Sequence, residues 1–139
     1  MHLAHQFFRS YIKLYRPVVN QVNKLLARFD LHTAQWTVLS LLSREGEMTS
    51  AEIAEYQMIE KPSVAKTVKR LHELGHLDVT PGEDKREKRL KLSGDGETLV
   101  QEILSELQPL YDELLAGIPK EDIERAVGLL DETYANLMN

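Results

Sequence analysis

The sequence contains no cysteine, which excludes disulfide bonds, a cysteine-based zinc site and a thiol that senses oxidants. It also has no run of about 18 or more apolar residues, the length that a membrane-spanning helix needs. Its N-terminus lacks the compact apolar segment and the cleavage site of a secretory signal. We therefore expect a cytoplasmic protein that does not bind or cross a membrane.

Motifs of catalysis are missing as well. The sequence has no glycine-rich phosphate loop, no nucleophile elbow and no pair of acidic residues in an apolar setting. His72 and His76 have the i, i+4 spacing of two metal ligands on one helix. Gly75 lies between them and should end that helix first, and the helix dipole already favours a histidine at a C-terminus. We expect structural histidines, no metal, no cofactor and no enzymatic activity.

The composition is that of one globular domain: 139 residues, 42% of them hydrophobic and 28% charged. The net charge of −5 is distributed unevenly, with +1 over residues 1–59, +3 over residues 60–93 and −9 over residues 94–139. Duplex DNA would attract the middle of such a chain and repel its C-terminal part.

The stretch 60–96 carries the clearest pattern. An apolar residue recurs at i, i+4 and i+7, which predicts one buried helix face. These residues are Val64, Val68 and Leu71. Pro62 suits the first turn of a helix, and Gly75 suits its end.

This predicted helix has the side chains of a DNA-binding surface. Between Lys61 and Arg70 there are four basic residues and no acidic one. Cations and hydroxyl groups contact phosphates and base edges. The predicted DNA contacts are Lys61, Pro62, Ser63, Lys66, Thr67, Lys69 and Arg70. The alternative is an ordinary solvated helix face, since exposed lysines are common.

The residues that follow favour the DNA-binding interpretation. Residues 77–80 have β propensity, Pro81 and Gly82 indicate a turn, and residues 88–93 alternate between charged and apolar. A charged hairpin after a basic helix predicts a winged helix, whose wing tip can enter a minor groove. The predicted wing contacts are Lys85, Arg86 and Lys88.

The hairpin also resembles a known family. Asp84-x-Arg86-x-x-x-Leu90-x-Leu92-Ser93-x-x-Gly96 is similar to the wing signature of the MarR family of bacterial transcriptional regulators. The upstream segment KPSVAKTVKRLHELGHL resembles the recognition helix of that family. The hairpin departs from the family in being about one residue shorter, and Val79 stands near a position where members often carry arginine. The resemblance motivates the hypothesis that Asp84 orients Arg86 towards DNA.

The remaining segments predict further helices. Residues 3–29, 94–115 and 120–137 are amphipathic, with Pro17 expected to kink or break the first. Thr33 is the predicted N-cap of a helix that ends near Arg44, and Thr49 with Glu52 forms a capping-box pattern for a short one.

These segments define the predicted organisation, which is mainly α with a small β-wing. Residues 31–93 are the winged-helix DNA-binding part, and residues 1–30 and 94–139 form a helical dimerisation part. The apolar faces of the terminal helices are too broad for one small domain to bury, which indicates a second copy of the chain. The resemblance implies the same arrangement. The alternative is a monomer whose terminal helices pair with each other.

The resemblance further implies a small-molecule cleft. Aromatic rings with a polar tip suit a planar acidic or phenolic effector, although aromatic residues at helical spacing are more often core. The candidates are Tyr11, Tyr15, Trp36 and Tyr111.

The sequence therefore predicts a homodimeric regulator of transcription that binds double-stranded DNA at a pseudo-palindromic operator. We expect a repressor that a small aromatic or phenolic ligand releases. The alternative is a helical dimeric interaction protein that keeps the fold without reading DNA.

Overall fold

The computed structural model describes residues 2–84 and 87–139. Within these residues the chain forms six helices and three strands. The elements are α1 (Leu3–Ala27), α2 (Thr33–Glu45), β1 (Met48–Thr49), α3 (Ser50–Gln57), α4 (Lys61–Glu73), β2 (Leu77–Pro81), β3 (Lys88–Leu92), α5 (Gly94–Leu114) and α6 (Lys120–Met138). This mainly α architecture with a small antiparallel sheet is the predicted one. No helix among the described residues is long and apolar enough to cross a membrane.

The chain consists of two compact units, one up to residue 107 and one of residues 108–139. The core of the first unit is formed by apolar side chains from every helix and strand that it contains. Fully buried examples are Leu26, Leu39, Ile53, Val64, Leu71, Leu90 and Ile103. Each such side chain stabilises the fold by about 1.5–3 kcal/mol relative to exposure.

Helix α3 begins at the predicted capping box. The Thr49 hydroxyl accepts the Glu52 N–H at 3.1 Å, and Glu52 Oε1 accepts the Thr49 N–H at 3.1 Å. Two backbone donors that an α-helix leaves unpaired are thereby satisfied. The capping prediction is confirmed.

The turn between α3 and α4 contains no glycine. Met58 takes the left-handed conformation there, with a φ of 56°. The Ile59 N–H donates to the Ala54 carbonyl at 3.1 Å, which closes the helix end around Met58. Tertiary packing of α3 on α4 thus holds a conformation that glycine usually supplies.

Helix α4 follows the predicted pattern. Val64, Val68 and Leu71 are its buried residues, and Pro62 lies in its first turn. Gly75 follows the helix with a φ of 84°, and the His76 N–H donates to the Leu71 carbonyl at 3.0 Å. The predicted end of the helix at this glycine is confirmed.

The start of α2 differs from the prediction. Thr33 is the first helical residue, and His32 is the N-cap. The Thr33 N–H and hydroxyl both donate to Oδ1 of Asn23 on α1, the N–H at 2.8 Å. A side chain from another helix therefore accepts the first N–H of α2, while Gln35 Oε1 accepts the N–H of the N-cap residue His32 at 3.1 Å.

The sheet and α1 also correct the sequence analysis. β1 was not predicted, and it pairs with β3 in the strand order β1-β3-β2. Pro81 belongs to β2 rather than to the turn, which is permitted because β2 is an edge strand. Pro17 does not break α1, which continues through it, since a proline removes only one backbone donor from a long helix.

The apolar faces of the terminal helices are covered only in part. The side chains buried on α5 are Val100, Ile103 and Leu107, whereas Leu114 at its C-terminal end is exposed. None of the side chains of α6 is buried, although the sequence predicts an amphipathic helix there. Periodicity identifies an apolar face correctly but does not say what covers it.

The capping box predicts a pH-dependent contribution to stability. The pKa of Glu52 is lowered from its ordinary 4.5, mainly because the carboxylate accepts the Thr49 N–H. A lowered carboxyl pKa contributes stability that is present above 4.5 and is lost as the pH falls through the lower folded value. Glu52→Ala should therefore reduce the free energy of unfolding at pH 7 by about 0.5 kcal/mol, because the carboxylate is exposed.

This difference between the variant and the wild-type chain should shrink as the pH falls below 4.5, as measured by urea unfolding at several pH values. Glu55→Ala, an exposed carboxylate on the same helix, is the control. A deficit for Glu52→Ala that does not change with pH would contradict the account.

Candidate nucleic-acid interface

The predicted contacts on α4 lie away from its buried residues. Lys61, Pro62, Ser63, Lys66, Lys69 and Arg70 are exposed, and Thr67 is half-buried. The opposite edge of the helix packs into the core of the first unit through Val64, Val68 and Leu71. All seven predicted residues therefore lie outside the buried edge of α4, six of them exposed, and we call them together the α4 cationic surface.

Most of the charge on the α4 cationic surface is available to a ligand. Arg70 Nη1 lies 3.8 Å from Glu73 Oε2, so this guanidinium shares its charge. Among the described residues, no carboxylate forms an ion pair with Lys61, Lys66 or Lys69. The Thr67 hydroxyl donates to the Ser63 carbonyl at 3.1 Å, which leaves its oxygen as an acceptor. Such a surface is suited to phosphates and to base edges.

The wing is formed by β2 and β3. Their pairing runs from Leu77↔Leu92 to Pro81↔Lys88, which places the exposed Lys88 at the outer end of the ribbon. Asp84 lies in the hairpin, and its carbonyl accepts the Glu87 N–H at 2.9 Å. The predicted contacts Lys85 and Arg86 lie outside the described residues.

The rest of the wing motif connects the wing to the helices on either side. Leu90 and Leu92 are buried. The Ser93 hydroxyl donates to the Gly75 carbonyl at 2.7 Å and accepts the Gly96 N–H at 3.0 Å, which caps α5. A Cβ on Gly96 would overlap the carbonyl oxygen of His76. Ser93 and Gly96 therefore fix the start of α5 against the end of α4, a structural role that the motif alone did not reveal.

The two histidines of this region have different surroundings. His72 is exposed, whereas His76 is half-buried, and its Nδ1 has no hydrogen-bond partner among the described residues. Burial lowers the pKa of His76, and the nearby Asp95 opposes that shift. No group of three or more potential ligands is placed to hold a metal ion within the described part of the chain.

The aromatic candidates for a ligand site differ in their surroundings. Tyr11 and Tyr15 are stacked on the exposed part of α1, with ring centroids 5.9 Å apart. Trp36 is buried in the core of the first unit. Tyr111 belongs to the second unit, and burial raises the pKa of its hydroxyl.

A groove that the sequence analysis missed lies between α2, the α3–α4 turn and α4. It encloses about 400 Å³, and its lining includes Thr37, Leu41, Tyr56, Gln57, Ile59 and Thr67. None of the four aromatic candidates lines it. The small residues Ala34 and Thr37 on one side of α2 are the sequence feature that could have indicated this space.

Comparison with known proteins identifies the family. A family model described as the MarR family matches residues 29–87. The HTH-type transcriptional regulator YwoH of Bacillus subtilis is 39% identical over 123 residues, which are 88% of this chain and 87% of YwoH. The chain belongs to the MarR family. It is therefore a transcriptional regulator with a DNA-binding winged-helix fold, as the wing motif predicted.

Other MarR relatives agree with this assignment. The HTH-type transcriptional regulator FarR of Neisseria gonorrhoeae is 29% identical over 85% of this chain and 77% of FarR. A MarR structure from Staphylococcus aureus, in complex with salicylate and kanamycin, superposes with a TM-score of 0.89. It is 28% identical and covers 98% of this chain and 93% of its own. A mutant MarR from Escherichia coli complexed with operator DNA has the same fold, with a TM-score of 0.80, 20% identity and coverage of 96% and 99%.

The close approach of Gly96 to the His76 carbonyl predicts that alanine substitutions at two glycines of α5 differ in their effect on stability. Gly96→Ala should lower the free energy of unfolding by about 1–3 kcal/mol, because the added Cβ must displace the His76 carbonyl. Gly94→Ala is the matched control, since nothing lies within 4 Å of its Cβ position. It should be neutral or stabilise the chain by up to about 1 kcal/mol. Equal effects of the two variants in urea unfolding would show that the close approach at Gly96 is unimportant.

Proposed function

We propose that this MarR-family chain is a homodimeric repressor that binds a pseudo-palindromic operator in double-stranded DNA. In this proposal α4 enters the major groove, and the wing reaches the adjacent minor groove. The α4 cationic surface is the observation that carries the proposal. The operator complex of the E. coli MarR mutant, which shares the fold, supports it.

The dimensions and charge of α4 suit a groove. Its 13 residues span roughly 20 Å at about 1.5 Å per residue, and a major groove about 12 Å wide admits an α-helix. The four cations between residues 61 and 70 carry no acidic neighbour within that stretch. The net negative charge is carried by residues 94–139, at −9, so duplex DNA attracts residues 60–93 and repels the C-terminal part of the chain.

Exposed apolar side chains support the homodimer. The first half of α1 exposes Leu3, Phe7, Phe8, Tyr11, Ile12, Leu14 and Tyr15. Helix α6 exposes Val127, Leu129, Leu130, Tyr134, Leu137 and Met138. Surfaces of this kind usually mark an interface, and an obligate dimer interface buries more than about 2,000 Å². We propose that a second copy of the chain covers both faces.

The proposed regulation is release of the operator by a small aromatic or phenolic ligand. The salicylate in the S. aureus MarR structure supports this chemical class. Tyr11, Tyr15 and Tyr111 have side chains that are accessible in the chain, whereas Trp36 is part of the core. The tyrosines are therefore the residues that we propose for stacking on such a ligand.

The proposed DNA contact predicts a steep salt dependence. Each neutralised phosphate contributes about −0.9 to the slope of log K against log salt, and a dimer offers its cations twice. Binding to DNA that flanks its own gene should therefore have a slope steeper than about −4. Lys66→Ala and Lys69→Ala should each make the slope shallower by up to about 1.8, because the dimer loses two cations.

Fluorescence anisotropy at several salt concentrations measures these slopes. Lys120→Ala is the control, because Lys120 lies on α6 next to Glu124 and not on α4. A flat response of the wild-type chain would reject DNA binding and favour the alternative, a helical interaction protein.

Substitutions in the wing distinguish two roles for Asp84. If it acts only as a charge, its removal should strengthen DNA binding, whereas if it orients Arg86, its removal should weaken operator binding. Arg86→Ala should weaken operator binding and leave folding intact, since the nearby Asp84 and Glu87 are exposed and substitutions at exposed positions change stability little. By charge alone, Asp84→Ala should tighten binding to any DNA. If Asp84 orients the Arg86 guanidinium, the variant should instead bind the operator more weakly and scrambled DNA equally or more tightly.

Titrating both variants with operator and with scrambled DNA separates the two effects. We expect the orientation result. An Asp84→Ala protein that binds both DNAs more tightly would show that Asp84 acts only as a surface charge.

A further inference from the structure

The base of the wing is the place where three strands become two. β1 ends at Thr49, which pairs with Arg89 of β3. On the other side of β3, Thr80 of β2 pairs with the same Arg89. Beyond this row β2 and β3 are joined to each other by the Pro81↔Lys88 pair and by the Gly82 N–H, which donates to the Glu87 carbonyl at 2.6 Å, and β1 no longer takes part. The outer wing is therefore held to the rest of the protein through the row at Arg89.

Glu47, the residue before β1, contacts both wing strands at this row. Its Oε1 accepts the Thr80 hydroxyl at 3.1 Å and lies 3.5 Å from Arg89 Nε. Arg89 Nη2 also donates to the Glu47 carbonyl at 3.5 Å. Arg89 Nη1 lies 4.0 Å from Oε1 of Glu52, the capping residue of α3. We call Glu47, Glu52, Thr80 and Arg89 the wing-base cluster.

The wing-base cluster has a charge arrangement that differs from that of the α4 cationic surface. Arg89 is a cation of the wing strand, but two carboxylates face it. Its charge is therefore compensated within the protein, whereas the neighbouring Lys88 is exposed. An arginine held in this way is suited to fixing the direction of a strand rather than to neutralising a phosphate.

We propose that Glu47 is a positioning residue that sets the direction of the wing for its DNA contact, acting through Arg89 and Thr80. The inference rests on the proposed function, because it requires that the wing contacts DNA. Both side chains of the Glu47–Arg89 pair are 40% exposed, so the pair adds little to the stability of the fold. Its main effect is on orientation, because Glu47 ties Thr80 of β2 and Arg89 of β3 to the residue before β1.

The test is a substitution of Glu47. Its expected effect on operator binding has one sign if Glu47 acts only through its charge and the opposite sign if Glu47 positions the wing. Removing a carboxylate from a DNA-binding chain should tighten binding to all DNA if only the charge matters. If Glu47 positions the wing, Glu47→Ala should weaken operator binding about fivefold, which is within the range of couplings between side chains of one contact network. Binding to scrambled DNA should stay equal or become tighter. The operator affinity of Glu47→Gln should lie between those of the wild-type chain and Glu47→Ala, because its amide oxygen still accepts the Thr80 hydroxyl.

Glu45→Ala is the matched control. Glu45 is an exposed carboxylate at the end of α2, two residues before Glu47, and it makes no ion pair or side-chain hydrogen bond to the described residues. This variant removes the same charge and should not weaken operator binding. Urea unfolding of each variant checks that the fold is intact.

A double-mutant cycle with Arg86→Ala identifies the route of the effect. If Glu47 acts through the wing, Glu47→Ala should cause little further loss once Arg86 is removed. Losses that multiply in the double variant would overturn the inference, and so would an Arg86→Ala chain that binds as the wild type does. A Glu47→Ala chain that binds like Glu45→Ala would overturn it too, while leaving the proposed function intact. Failure of the wild-type chain to bind its operator would instead reject the proposed function itself.

Discussion

The burial of one edge of α4 is the constraint on which the DNA-binding account depends. Val64, Val68 and Leu71 are held in the core, each with a burial free energy of about 1.5–3 kcal/mol. A rotation of α4 by one residue, about 100°, would expose these side chains and bring lysines towards the core. The same apolar contacts that stabilise the domain therefore determine that the cations face solvent.

A second constraint links α4 to the wing. The Ser93 hydroxyl bonds both to the end of α4 at Gly75 and to the start of α5 at Gly96, while Leu90 and Leu92 anchor β3 in the core. Helix α4, the wing and α5 consequently meet at Ser93. The position of the wing then depends on the cluster at Glu47 and Arg89, which is exposed and contributes little to stability. The fold thus separates residues that hold the domain together from residues that direct its contacts.

The features of the fold that depend on residues close together in the sequence could be predicted. The period of α4, its end at Gly75 and the capping box of Thr49 and Glu52 depend on residues a few positions apart, and each was read from the sequence. The features that were missed join distant residues: Thr33 bonds to Asn23, and Glu47 contacts Thr80 and Arg89 across 33 and 42 positions. No periodic pattern encodes such contacts. β1 was missed because two residues are too few to show strand alternation.

The central claim is that two copies of the chain present two α4 helices to one operator. Hydroxyl-radical footprinting on the DNA that flanks its own gene tests it most directly. A two-fold dimer should protect two related half-sites whose centres lie about 10 bp apart or a multiple of that distance, because equivalent grooves recur once per helical turn. Protection of one unpaired half-site, or uniform protection without half-sites, would contradict the account.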